Sequence, residues 1–299
     1  MLKIAYHPIY KHPLPEKHRF PMIKYELLPQ QLLYEGTCTE ENFFEPALPE
    51  DRHILSVHDK TYYNDLKGLM LSKSAVRKIG FPLNDELVLR ERIIADGTIK
   101  GCEFALENGI AMNIAGGTHH AYSDRGEAFC MLNDQAIGAR YLLKNDLANK
   151  ILIVDLDVHQ GNGTAEIFRT DHSVFTFSMH GKGNYPFKKE ISDLDIPLPK
   201  GTTDQEYLSL LKKTLPELLQ QVQPDFIFYL CGVDVLDSDK LGTLSMTLEG
   251  CKERDRFVLQ LCSDENIPVQ CSMGGGYSPD IKTIVEAHAN TFRLAQDIL

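Results

Sequence analysis

At 299 residues, 43% hydrophobic and 24% charged, the chain can bury one large core and is neither disordered nor fibrous. Its formal charge of −11, from 42 acidic against 31 basic residues, argues against direct nucleic-acid binding. The same balance keeps a protein soluble and would favour cationic partners, such as lysine-rich segments or polyamines.

No apolar run reaches the roughly eighteen residues a membrane span needs, so no membrane role is expected. Residues 1–20 mix Lys, His, Pro and Glu without an apolar stretch and do not read as a signal peptide. Seven cysteines, at 38, 102, 130, 231, 251, 262 and 271, include no CxxC pair. An odd, scattered set argues against a disulfide framework and fits a reducing, cytoplasmic setting. With no repeat, low-complexity tract or linker, residues 1–299 read as a single domain.

Along the chain, short apolar and β-branched runs at 3–6, 109–114, 150–155, 173–178, 225–231 and 267–272 are predicted strands. Helix-compatible stretches at 87–108, 133–145, 204–222 and 247–265 lie between them. Strands that are continuously apolar, and separated by helices, indicate a parallel sheet covered on both faces. An α/β fold follows.

Four of these strands run directly into glycines or metal-competent side chains. The run at 110–114 leads into AGGTHH, 151–154 into DLDVH, 226–230 into CGVD and 269–272 into MGGGY. Ligands of open parallel sheets bind beyond the carboxyl ends of the strands, so these loops are expected to converge on one site.

Asp155, Asp157 and His159 alternate with Leu156 and Val158, which turns all three polar side chains to one side of an extended segment. Two carboxylates and an imidazole presented together make a divalent-metal locus. The plainer alternative is a strand end whose solvated acids cap the next helix. Asp234 is the best candidate for a ligand from a second loop, with Asp237 and Asp239 as competitors. A set of Asp157, His159 and Asp234 would leave an open position for water, whose pKa the metal would lower.

His119 and His120 follow two glycines, and adjacent buried histidines each need a partner. Imidazole suits both proton transfers of a metal-assisted hydrolysis near neutral pH. Tyr277 stands just beyond three glycines that allow close backbone approach, and its phenol could donate to a developing oxyanion. The alternative there is an ordinary Gly-rich turn with a surface tyrosine.

In this order, GGTHHA (116–121), DRGEAFCMLND (124–134), DLDVHQGNGT (155–164), CGVDVLDSDKLG (231–242) and GGGY (274–277) resemble the zinc-dependent histone deacetylases. HRFPMIKYELL (18–28) and VHDKTYYNDL (57–66) extend the resemblance over nearly the whole chain, and QGNG with LGTLS looks most like the class IV branch and its bacterial relatives.

The resemblance implies an arginase/deacetylase-like three-layer α/β/α sandwich with a central, mostly parallel sheet. It implies one zinc ion per chain, held by Asp157, His159 and Asp234, with His120 as general base and acid. His119 would orient and assist, with Asp155 as its carboxylate partner, and Tyr277 would stabilise the oxyanion. Phe129 and Tyr185 would wall a tunnel for the lysine stem, with Leu241, Gly275 and Gly276 also beside the substrate. Asp155 and Ser178 would contribute to a structural monovalent-cation site, for K⁺.

Asn162 stands where the class I branch has a second Asp, so it can orient an imidazole without adding charge. The rim aspartate of relatives has no counterpart near residues 80–82. Leu241 stands where a polyamine-selective relative carries a Glu, which tips the expected substrate toward an acylated lysine of a peptide or protein, acetyl or longer. A small-amine deacylase and a catalytically silent acyl-lysine binder are the alternatives.

Overall fold

The computed structural model describes all 299 residues. Eight strands form one sheet: β1 (Lys3–Ala5), β2 (Phe43–Phe44), β3 (Ile110–Asn113), β4 (Ile151–Asp155), β5 (Val174–Gly181), β6 (Leu194–Leu198), β7 (Phe226–Leu230) and β8 (Val269–Ser272). Their order is β2-β1-β3-β8-β7-β4-β5-β6, and every pairing is parallel. Ten helices accompany them: α1 (Lys24–Tyr34), α2 (Asp51–Ile54), α3 (Lys60–Lys67), α4 (Lys73–Ile79), α5 (Asp85–Asn108), α6 (Asp134–Lys144), α7 (Asn162–Phe168), α8 (Asp204–Val222), α9 (Leu248–Asp264) and α10 (Ile281–Ile298). None is long and apolar enough to cross a membrane.

The four central strands β3, β8, β7 and β4 are buried at every position, which is why they read as predominantly apolar runs; the buried Gln270 in β8 is satisfied by donating to Cys271 O. The chain crosses the sheet in one direction from β1 through β3 and β4 to β6. It then returns, and β7 and β8 fill the gap between β4 and β3. Right-handed crossovers put α5 and α6 on one face and α8 and α9 on the other. Accordingly α5 packs on β1, β3, β8 and α6, while α9 packs on α8 and α10. The result is the expected three-layer sandwich, with 77 buried apolar residues in one continuous cluster.

All six expected strands and four expected helices are present. Helix α5 begins two residues earlier than expected, about half a turn, because the Asn84 side chain accepts from Leu87 N at 2.8 Å and caps it there. Two edge strands and six helices lie outside the sequence reading. β2 has only two residues, and β6 (LDIPL) carries a proline that edge pairing tolerates.

The site follows from this topology. β3, β8, β7 and β4 are contiguous in the sheet, and register pairs Asn113 with Ser272, Ser272 with Leu230 and Leu230 with Asp155. All four therefore end level, and the loops that leave them meet.

Candidate metal centre and active site

Beyond β4 the chain continues into Asp157 and His159, and beyond β7 it bends through Gly232 to Asp234. The ligand atoms of Asp157, His159 and Asp234 lie within 4.8 Å of one another, and all three residues are buried. His159 Nδ1 is 3.0 Å from Asp157 Oδ1 and 3.2 Å from Asp234 Oδ2. Backbone N–H groups fix the carboxylates. Asp157 accepts from His159 N and Gly275 N, and Asp234 accepts from Val158 N, each at 2.9 Å. Residue 275 must be glycine, since a Cβ there would lie 2.1 Å from Asp234 Oδ2 and 2.8 Å from Asp157 Oδ2.

The electrostatics of the three residues call for a cation. Burial, and then the neighbouring Asp157 charge, push the Asp234 carboxyl up to about 7. Burial would also raise Asp157, but its His159 hydrogen bond and the His119 charge hold it well below the usual range. His159 is buried, which alone would lower it, yet the two carboxylates raise it to about 10. Two buried carboxylates and an imidazole this close are stable together only with a shared positive charge among them, so the donor set fits a divalent metal. Asp239, a competitor of Asp234 in the sequence, is not a ligand. Its carboxylate accepts from the backbone N–H groups of Leu241 (2.8 Å), Gly242 (2.9 Å) and Tyr277 (2.6 Å). Asp237 is exposed and takes no part.

His119 and His120, in the loop after β3, are both buried with ring centroids 4.1 Å apart. His119 Nδ1 lies 2.7 Å from Asp155 Oδ2, and His120 Nδ1 lies 2.6 Å from Asn162 Oδ1. The pair divides its roles through these partners. His119 is raised, because the Asp155 charge and hydrogen bond outweigh the lowering by burial. His120 is lowered well below the usual value by burial, with the His119 and His159 charges adding to it. His120 is therefore the neutral imidazole.

A residue outside the sequence reading fixes its tautomer. Asn162 Nδ2 donates to the Tyr122 hydroxyl at 2.9 Å, which turns the amide oxygen toward His120. His120 Nδ1 then carries the proton, and Nε2 is left with its lone pair free. Tyr122 closes GGTHHAY, and that adjacency is the only sequence signal for it.

Tyr277 reaches the metal centre from the loop after β8, its ring 6.5 Å from His159 and 6.0 Å from Phe20. Burial, followed by the Asp234 and Asp157 charges, holds the phenol well above its ordinary pKa, so it remains a donor. Lys24, at the start of α1, is a second residue missed from sequence. It is fully buried, and its Nζ donates to Gly274 O at 3.0 Å and lies 5.9 Å from the Tyr277 ring centroid. Burial brings it down to about 8, against the pull of Asp234 and Asp157.

Aromatic side chains wall the approach. Ala128 and Phe129 both have positive φ, 44° and 69°, and are held there by hydrogen bonds to Lys78 O and Ile79 O. The Phe129 ring packs on Phe20 (5.2 Å) and Phe81 (5.1 Å). Tyr185 stands perpendicular to His120 at 4.9 Å, its hydroxyl bonded to Glu127. Phe129, Tyr185, Leu241 and Tyr277 line an outer cavity of about 430 Å³ that reaches His120 and His159. A small inner cavity of about 40 Å³, lined by Gly275 among others, continues past Asp157 and Cys130. Gly276 lines neither, because a Cβ there would meet Val233, Ile284 and His288 on the far side of the loop. Ser178 lies beside Asp155 in the β4–β5 register, its hydroxyl 3.0 Å from His180 Nδ1.

The geometry defines a buried site at the carboxyl edge of a parallel sheet, with three side chains placed to hold a metal ion beside a histidine pair and a tyrosine. A family model of the histone deacetylase domain matches residues 16–292. An uncharacterized protein of a Picosynechococcus species is 46% identical over 295 residues, covering 99% of this chain and 98% of that one. Histone deacetylase 2 of Arabidopsis thaliana is 30% identical over 273 residues, covering 87% and 70%. A crystal structure of a histone deacetylase homologue complexed with SAHA superposes with a TM-score of 0.86 at 24% identity, over 99% of this chain and 84% of that one. The homologue from Aquifex aeolicus gives 0.84 at 24% identity, over 98% and 84%. The chain belongs to the histone deacetylase family, with its fold, and is a hydrolase of the deacetylase kind.

Proposed function

We propose that this protein is a zinc-dependent deacylase that hydrolyses Nε-acyl-lysine amides of peptides or proteins. The observation that supports this most is the meeting of Asp157, His159 and Asp234 beneath His120 and Tyr277 at the end of an aromatic-lined cavity. A zinc ion held by those three residues would polarise the acyl carbonyl and lower the pKa of water.

The remaining steps belong to the protein. Phe129 and Tyr185 sheathe the methylene stem and exclude water from it. His120 takes the proton of the attacking water on Nε2, the nitrogen that its Asn162 contact leaves free, and returns it to the departing amine. His119, held by Asp155, keeps its own proton and steadies the developing negative charge. Tyr277 donates its phenolic hydrogen to the same oxygen. Asp155 and Ser178 would hold a structural potassium ion behind this machinery. All seven cysteines are buried and free, as a reducing cytoplasm would leave them.

Leu241 at the mouth favours lysine over a polyamine, because its side chain offers an ammonium no counter-charge. The test is a panel of acyl-lysine peptides from acetyl to myristoyl, each with zinc and with chelator. Zinc-dependent release of the free acid supports the reading. Zinc-loaded protein that binds these peptides and never releases acid would instead be a silent acyl-lysine binder.

A further inference from the structure

The mouth of the cavity has the opposite charge to the molecule. The charged residues lining the outer cavity are Arg19 and Lys78, and those lining the groove beside it are Lys17, Arg19 and Lys240. No carboxylate lines either, in a chain with 42 acidic and 31 basic residues. All four side chains are exposed. Of the carboxylates adjacent in sequence to lining residues, Glu16 is exposed and lines neither cavity, Asp280 caps α10, and the other two are engaged. Asp239 accepts three backbone N–H groups, and Glu127 accepts from the Tyr185 hydroxyl and from Arg125 Nε. The basic side chains that do form ion pairs lie elsewhere, such as Lys11 with Glu26 and Arg169 with Glu190.

Arg19 is the best placed of the four. Its guanidinium lies 4.9 Å from the centroid of the Phe129 ring, which forms the tunnel wall. Stacking on a ring orients a guanidinium while leaving its N–H fork free, and that fork matches a carboxylate.

Resting on the lysine-deacylase reading above, we infer that the mouth selects acyl-lysines flanked by acidic residues, with Arg19, Lys78, Lys17 and Lys240 as the specificity-determining side chains. The charges come from three separate segments around the opening: residues 17–19, helix α4 and residue 240. That spread matches carboxylates on both sides of the acyl-lysine, as an acidic peptide would present them, better than a single small acid. It also repels the cationic partners that the overall charge of −11 would otherwise attract.

The test compares three peptides that share a central acetyl-lysine and differ in flanking residues, Glu, Ser or Lys, with acetylspermidine as a fourth substrate. At low salt the Glu-flanked peptide should exceed the Lys-flanked one in kcat/KM by about ten-fold, the ratio falling to about two-fold near 0.5 M salt. In Arg19→Glu/Lys78→Glu, both exposed positions, the ratio should fall to one or invert. Because it is read within one preparation, partial inactivity cancels. A flat ratio, a preference for the Lys-flanked peptide or acetylspermidine, or a ratio unmoved by the double variant overturns the inference. If no peptide is cleaved, the deacylase reading fails, and fluorescence anisotropy of the same peptides on the zinc-loaded protein still decides the charge preference.

Discussion

Replacing Tyr277 by Phe isolates one hydrogen bond. The ring's neighbours, Phe20, Phe129, His159 and Lys24, contact its faces and edges, and the hydroxyl makes no hydrogen bond within the protein. The substitution therefore leaves packing intact and orphans no partner, so the melting temperature should move by less than about 0.5 kcal/mol would give. The transition state loses one donor aimed at the oxyanion, a loss of about 10²–10³-fold in turnover. Because the phenol is held well above its ordinary pKa, it stays protonated across the working range and should add no limb to the pH–rate profile. Steady-state kinetics on an acetyl-lysine peptide, with kcat and KM separated, checks this. A variant as stable as wild type that retains near-wild-type kcat would refute the assigned role, and so would a loss confined to KM.

Three further outcomes are expected. The raised His159 contributes stability that is fully present below its ordinary value of 6.5 and is lost as pH rises through about 10. The raised Asp234 contributes stability that is lost as pH rises through about 7, so chelated protein should melt progressively lower between pH 6 and pH 10 while zinc-loaded protein does not, as a thermal-shift series would show. In Gly275→Ala, the new methyl would sit 2.1 Å from Asp234 Oδ2, so zinc affinity measured by calorimetry should fall by at least about ten-fold. Lys24→Met keeps the bulk but leaves Gly274 O without its donor, costing about 1–3 kcal/mol in chemical denaturation and lowering kcat through the displaced Tyr277.

The sequence revealed those parts whose physics is local. A strand buried on both faces is mostly apolar, so β3, β4, β7 and β8 were visible although Asn113, Asp155, Gln270 and Ser272 interrupt them, and alternation about Asp157 and His159 put two candidate ligands on one side. The third ligand was harder, because Asp237 and Asp239 compete with Asp234 in one dimension. Only the fold shows that three backbone N–H groups claim Asp239. Lys24 was illegible for a similar reason. Its partner, Gly274, lies 250 residues away, and a lone lysine at a helix start looks solvated. The basic mouth was hidden too, since its four residues come from three distant segments and are averaged away in a net charge of −11.

The returning path of the chain also orders its synthesis. Until residues 226–272 emerge from a ribosome, β3 and β4 are two unpaired inner edges with a two-strand gap between them. Such edges are templates for wrong pairing. Asp234 and Tyr277 arrive with the strands that close the gap, so a nascent or truncated chain lacking them has neither a complete sheet nor the full set of Asp157, His159 and Asp234. The candidate site is thereby assembled only once the edges that invite wrong pairing are covered.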